Sequence, residues 1–301
     1  MIISCSRRTD IPAFYANWLV NRLKAGYVLV PNPFNRRKVT ELILTPETVD
    51  CLVFWTKNPE SLAQRLPEIQ DMGFRFYILF TLNPYGSDLE PGLPPKKSLI
   101  KLFETLSQTY GPATVDWRYD PIIIDEERPV KYHLERLAHF GEILAPRTTR
   151  LIFSFVDNYR HLKPLGTGTA EEWLALAEGL GNLSQKWGLP VYSCAETFDL
   201  GRFGLRPGTC VDRAKIEALI GRSLNIKKDP GQRDDCQCYE SFDIGLYNTC
   251  GHLCVYCYAT HNHRQAVRAT VEHDPNWPIL TGTLKGDEEI YRHPKQKGLC
   301  L

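Results

Sequence analysis

Three cysteines near the end of this 301-residue chain have types and spacing that can do chemistry. They lie in Cys250-Gly-His-Leu-Cys254-Val-Tyr-Cys257, a C-x3-C-x2-C pattern. Thiolates delivered by one short loop can hold three corners of a cubane [4Fe–4S] cluster, whose usual ligand is cysteine. Because the loop brings three ligands and not four, one iron stays open to a small molecule. Gly251 permits a tight backbone, His252 is placed to donate a hydrogen bond near the sulfurs, and Tyr256 sets an aromatic plate beside the open position. The competing reading is a zinc-stabilised module without redox chemistry, although zinc sites usually show two ligand pairs, four in all.

Four further cysteines form a second group: Cys194, Cys210 and the pair Cys236-Gln-Cys238. If the chain returns them to one place, four thiolates complete either a second [4Fe–4S] cluster or a structural zinc site. The auxiliary cluster is the preferred expectation, and buried small hydrophobes remain the plain alternative for Cys194 and Cys210. Cys5 is unassigned, Cys51 sits in an apolar run and reads as core, and Cys300 reads as a free thiol in the tail.

The elements that must position these groups follow from the hydrophobic pattern. Strands are expected at Ile2–Cys5, Cys51–Trp55, Phe74–Thr81, Thr114–Trp117, Leu151–Phe155 and Val191–Cys194, all short and rich in β-branched or aromatic residues. Helices are expected at Pro12–Lys24, Pro59–Met72, Lys96–Tyr110, Tyr132–Leu144 and Thr169–Trp187, the last opening on a capping box, Thr169 with Glu172. Strand–helix alternation predicts a mostly parallel α/β sheet, as a complete or partial (β/α) barrel over residues 1–200. Residues 201–301 would complete the same barrel with a cysteine-rich region and a surface-wrapping tail. Ser241–Tyr247 is one more strand, leading directly into the cysteine loop, and a helix is expected at Tyr258–Thr270.

Functional residues of such sheets gather at the carboxyl ends of the strands. Polar residues stand there: Lys57, Arg118, Asp120, Asp157 and Glu196 are the candidate catalytic and cavity residues, and their mixed charge suits a polar organic substrate. Arg36-Arg37 reads as a surface pair. His133, His139 and His161 lack ligand spacing and are expected in solvent, as are His261 and His263.

Composition bounds the rest. Lys and Arg number 36 against 35 Asp and Glu, so no long-range field draws nucleic acid or an anionic membrane. No stretch approaches the ~20 apolar residues of a membrane span, and Met1-Ile-Ile-Ser-Cys-Ser-Arg-Arg is not a signal peptide. A cytoplasmic location is therefore expected. Thiols stay reduced there, which points the ten cysteines toward metal rather than disulfides.

The cysteine spacing, with an aromatic before the third cysteine, resembles that of radical S-adenosylmethionine enzymes. The resemblance implies that the methionine moiety of S-adenosylmethionine chelates the open iron. It further implies that one-electron reduction, from a donor such as flavodoxin or ferredoxin, yields a 5′-deoxyadenosyl radical. Such a centre is oxygen-sensitive. In that superfamily the loop usually follows the first strand, whereas here it lies near the C-terminus, and a Gly-Gly-Glu segment is absent. A permuted order reconciles the two: Ser241–Tyr247 plays the first strand and Ile2–Cys5 the next. Ser4, Arg7, Arg8 and Asp10 would then lie beside the cofactor's methionine end, with Tyr256. The whole chain also resembles an uncharacterised bacterial and archaeal family, through Ser6-Arg-Arg-Thr-Asp-Ile-Pro12, Phe54-Trp-Thr-Lys-Asn-Pro59, Trp117-Arg-Tyr-Asp-Pro121 and the cysteine tail.

Overall fold

The computed structural model describes residues 1–292 apart from Arg160, His161, Lys163, Thr197 and Asp234, so His161 and Cys300 lie outside the described residues. The chain divides into two compact units, Met1–Phe76 with Ile216–Ser223 and Ser241–Leu301, and Tyr77–Lys215 with Leu224–Glu240.

In the first unit the strands β1 (Ile2–Cys5), β4 (Cys51–Thr56) and β10 (Phe242–Asp243) run parallel in the order β10-β1-β4. All four residues of β1 are buried, as suits a central parallel strand covered on both faces. Cys51 is fully buried in β4, as its apolar run implied. The strand placed at Ser241–Tyr247 is confined to two residues. Past it, Asp243 turns its carboxylate onto the backbone N–H of Gly245, which bends the chain away from the ladder.

Two expected helices are broken. Pro12–Lys24 divides into α1 (Ile11–Phe14) and α2 (Ala16–Ala25) at Tyr15, whose φ of −132° leaves the helical region. Its hydroxyl donates to the Thr249 carbonyl at 2.7 Å. Pro59–Met72 divides into α3 (Glu60–Ala63) and α4 (Leu66–Asp71), because Pro67 has no N–H to continue a helix and sits in the first turn of α4 instead.

A three-stranded sheet was not anticipated. It comprises β2 (Tyr27–Pro31), β3 (Lys38–Ile43) and β11 (Glu289–Arg292), ordered β11-β3-β2. Its antiparallel hairpin is local, but β11 arrives from 251 residues away. That part of the tail is an exposed strand, paired with β3. Helix α9 (His263–Val271) begins later than expected, at the Asn262 cap.

In the second unit β5 (Phe76–Thr81), β6 (Val115–Ile122), β7 (Leu151–Phe155), β8 (Val191–Ser193) and β9 (Arg206–Pro207) are parallel neighbours in that order. Helices α5 (Lys96–Tyr110), α6 (Val130–Leu144) and α7 (Ala170–Trp187) alternate with them; α8 (Arg213–Ile220) follows β9 in sequence, its residues from Ile216 on counted with the first unit. The Thr169–Glu172 capping box of α7 is present in both directions. Strand β6 runs five residues past the expected end, so Arg118 and Asp120 lie within it. A register shift between Tyr119 and Ile122 accommodates Pro121, which cannot donate to the ladder.

Within each unit strands run parallel, β10-β1-β4 in the first and β5-β6-β7-β8-β9 in the second. The fold is α/β and mostly parallel, as the alternation implied; of the complete or partial barrel expected, a complete one is not closed among the described residues. No helix of the described residues is long and apolar enough to cross a membrane.

His133 corrects another expectation. It is fully buried rather than solvated. Its Nδ1 meets the Tyr119 hydroxyl at 2.9 Å and its Nε2 the Ile123 carbonyl at 2.8 Å, and burial pushes its pKa down to about 4.

Candidate functional site

The loop Cys250–Cys257 leaves the carboxyl side of β10, and the residues Ser6–Asp10 leave the carboxyl end of β1 beside it. Register pairs Ile3 with Phe242 and Ser4 with Asp243. The two loops are stitched together by Asp243, which accepts from Ser6 Oγ (2.6 Å), Ser4 Oγ (3.3 Å), the Arg7 amide (2.7 Å) and the Gly245 amide (2.9 Å). Sequence reasoning missed Asp243; a carboxylate inside a strand, where such residues are disfavoured, was the available signal.

Asp10 makes the second tie. Its Oδ1 caps α1 through the Ala13 amide at 3.0 Å, and its Oδ2 accepts from the Lys57 amide at 2.7 Å. The same Oδ2 lies 2.8 Å from Nε2 of His252, inside the cysteine loop. His252 was expected to face the sulfurs with its ring; the ring instead holds Asp10, while its backbone amide serves the Cys250 thiol.

The cysteine loop keeps its shape through Asn248, a residue also missed. In the left-handed region at φ +57°, which asparagine tolerates, it donates from its amide to the Ala259 carbonyl. Its Oδ1 accepts from the amides of His261 and Asn262. Leu253 is also left-handed, at φ +55°, a conformation costing an ordinary residue about 1–2 kcal/mol. Strain of that kind concentrates at functional loops. Gly251 serves side-chain packing rather than a special backbone conformation: a Cβ there would lie 2.7 Å from the Phe14 ring.

Cys254 is buried, and Cys250 and Cys257 are half-buried. Burial raises the Cys250 thiol pKa first, followed by the charges of Asp10, Cys257 and Cys254, so the three sulfurs share one electrostatic neighbourhood. Tyr256 is buried, with Lys57 Nζ 5.3 Å from its ring centroid. Arg7 lies over Trp55 and Arg8 over Tyr247, both with the guanidinium carbon 5.4 Å from the ring centroid. Ser4 is fully buried.

Lys57 thus belongs to the cysteine loop's unit. Arg118, Asp120, Asp157 and Glu196 belong to the other unit: Arg118 and Asp120 lie inside β6 rather than at its end, Asp157 just past β7 and Glu196 just past β8. Arg118 pairs with Asp120, and Asp157 with Arg233. Asn83 receives the Asp120 amide at 2.8 Å and returns a bond to its carbonyl at 2.8 Å. Glu196 accepts the Phe155 amide at 2.9 Å; burial lifts its pKa to about 7, the Phe155 bond opposing and Asp157 adding to the rise.

The second cysteine group falls in this unit, with Cys194 and Cys210 sulfurs 3.7 Å apart. Among the described residues, no group of three or more His, Cys, Asp or Glu is already arranged to hold a metal ion. The donor types suit soft metals at both places nonetheless: cysteine sulfurs with backbone N–H groups aimed at them.

No curated protein matches the chain. Among solved structures, an alpha-L-fucosidase candidate from Bacteroides thetaiotaomicron VPI-5482 is 10% identical and covers 75% of this chain and 85% of its own, with a TM-score of 0.24. A likeness that distant carries no argument about function. Over residues 2–259 the sequence matches a family model, a span that takes in the strand ends and the whole cysteine loop. The chain belongs to the family described as Domain of unknown function (DUF1848).

Proposed function

We propose that this chain is a radical S-adenosylmethionine enzyme, with Cys250, Cys254 and Cys257 holding a [4Fe–4S] cluster. The observation that carries the reading is the pairing of β10 with β1. It brings a three-cysteine loop and the Ser6–Asp10 segment to the same edge of a parallel sheet, the neighbourhood that a permuted member of that superfamily requires. Bound there, the cluster and S-adenosylmethionine would supply reductive cleavage of a sulfonium carbon–sulfur bond and, from it, a hydrogen-abstracting radical.

The chain's own residues have positioning work. Asp243 and Asp10 fix the two loops against each other, and His252 carries that order into the cysteine segment. Arg7 and Arg8 are cations at the end of β1 suited to a carboxylate. Tyr256 and Trp55 provide apolar cover. Arg118, Asp120, Asp157 and Glu196 suit a polar organic substrate. The reading includes a cytoplasmic, oxygen-sensitive enzyme and a low-potential electron donor such as flavodoxin or ferredoxin.

The test is anaerobic reconstitution of the full chain with iron and sulfide, then reduction in the presence of S-adenosylmethionine. Four irons and four acid-labile sulfides at the loop, with release of 5′-deoxyadenosine, support the reading. Cys254→Ala should lose both while keeping the far-UV circular dichroism of the parent. Stoichiometric zinc at the loop, with no 5′-deoxyadenosine, would replace the enzyme with a zinc-stabilised binding module.

A further inference from the structure

The thiols of Cys194, Cys210, Cys236 and Cys238 take no part in that chemistry. Cys194 follows the three-residue strand β8, and its amide donates to the Phe153 carbonyl at 2.7 Å. Cys210 follows β9, and its carbonyl accepts from Tyr77 at 2.5 Å. The segment bearing Cys236 and Cys238 is folded back onto the Cys210 turn by the Tyr239 amide, which donates to the Val211 carbonyl at 3.1 Å. Three chain segments therefore deliver four sulfurs to one place.

The sulfurs are linked in a row. Cys210 touches Cys194, with sulfurs 3.7 Å apart, and its backbone amide reaches Cys238 Sγ at 3.3 Å. Cys236 is in turn the hydrogen-bond neighbour of Cys238. A thiol is a weak donor and a weak acceptor. Four of them facing one another satisfy little as neutral groups, whereas as thiolates around a cation each gains a strong bond.

We propose that Cys194, Cys210, Cys236 and Cys238 bind one zinc ion in a closed, tetrahedral, structural site. The spacing separates this from a cluster. Tetrahedral zinc with Zn–S of about 2.3 Å places its sulfurs about 3.8 Å apart, and the Cys194–Cys210 pair stands at 3.7 Å. A cubane puts each cysteine on its own iron and spreads the sulfurs further.

Two more features agree. The amides of Cys210 and Val211 both donate to Cys238 Sγ, at 3.3 and 3.5 Å, and such bonds favour a thiolate over a thiol. Zn²⁺ with four thiolates carries −2, and cations stand nearby: Arg118 lies in the field of Cys210, Cys194 and Cys238, and Arg233 in that of Cys194, each also paired with a carboxylate. Rotation of the half-buried Cys194 and Cys236 side chains would bring the four sulfurs around the ion. Four protein ligands leave no open position, so the ion acts as a staple. It ties down β8 and the two-residue β9, which have few ladder bonds of their own.

The experiment uses the full chain carrying Cys250→Ala, Cys254→Ala and Cys257→Ala, which makes the result independent of the cluster reading. Elemental analysis after anaerobic purification should find one zinc per chain, and X-ray absorption should find four sulfurs at about 2.3 Å. Adding Cys236→Ser and Cys238→Ser should remove the metal. X-ray absorption needs no change at the second group, so it decides the matter even where that last variant fails to fold. Protein that is metal-free with four titratable thiols, a Cys194–Cys210 disulfide, or iron with acid-labile sulfide would each overturn the proposal.

Discussion

Nε2 of His252 stands 2.8 Å from Oδ2 of Asp10, across 242 residues of sequence, with both side chains at or below 6% exposure. One carboxylate thereby caps α1, orders the segment after β4 and anchors the cysteine loop. Asp10→Ala would leave the Lys57 amide and the His252 ring without their partner and the α1 cap empty. A loss of about 2–4 kcal/mol in guanidinium denaturation is expected, with weaker metal retention at the loop. A variant as stable as the parent, with unchanged metal content, would remove Asp10 from this role.

Asp116 is the corresponding anchor of the second unit. Fully buried in β6, it accepts from Arg150 at 2.7 and 2.9 Å and from Lys215 at 2.7 Å. Asp116→Ala takes the carboxylate from Lys215 and leaves Arg150 with Asp212 alone, and should cost about 3–5 kcal/mol. The exposed pair Lys186–Glu142, each side chain 60% accessible, supplies the contrast. Glu142→Ala should cost less than about 1 kcal/mol in the same denaturation assay.

His133 gives stability a pH dependence of known sign. Burial holds its folded pKa near 4, below the ordinary 6.5, so the unfolded chain binds its proton first as the solution is acidified. The stabilisation is present in full above about pH 6.5 and is lost as pH falls toward 4, about 3 kcal/mol over that window. His133→Gln should flatten the profile there. An unchanged slope between pH 6.5 and 4 would show that His133 titrates alike in the folded and unfolded states.

Gly245 tests the fit between the two loops. A Cβ at this position would lie 2.0 Å from Ser6 Oγ and 2.6 Å from Ser6 Cβ. Gly245→Ala should cost about 1–3 kcal/mol by overpacking, and Ser6→Gly in the same chain should recover part of it. Additive losses in the double variant would mean that the two residues do not meet.

Much of the architecture was legible because it rests on local pattern. Strand–helix alternation, the buried run Ile2–Cys5 and the Thr169–Glu172 box all concern residues that are neighbours in sequence. Where the pattern misled, a single residue usually explains it: Pro67 dividing a helix, or Pro121 riding in β6 on a register shift. The three-stranded sheet was invisible for a different reason. Its outer strand pairs with a partner some 250 residues away, and no local window contains that pairing.

The sequence by itself determined which seven cysteines are grouped, how they are spaced, and which charged residues stand in or just after the apolar runs. These are properties of residue type and short-range order. Only the tertiary structure decided that β10 lies beside β1, that Asp10 and Asp243 knot the two loops together, and that Lys57 sides with one cysteine group while Arg118 and Glu196 side with the other. Those outcomes depend on which distant segments satisfy each other's buried polar groups. That requirement acts through space and leaves no period in the chain.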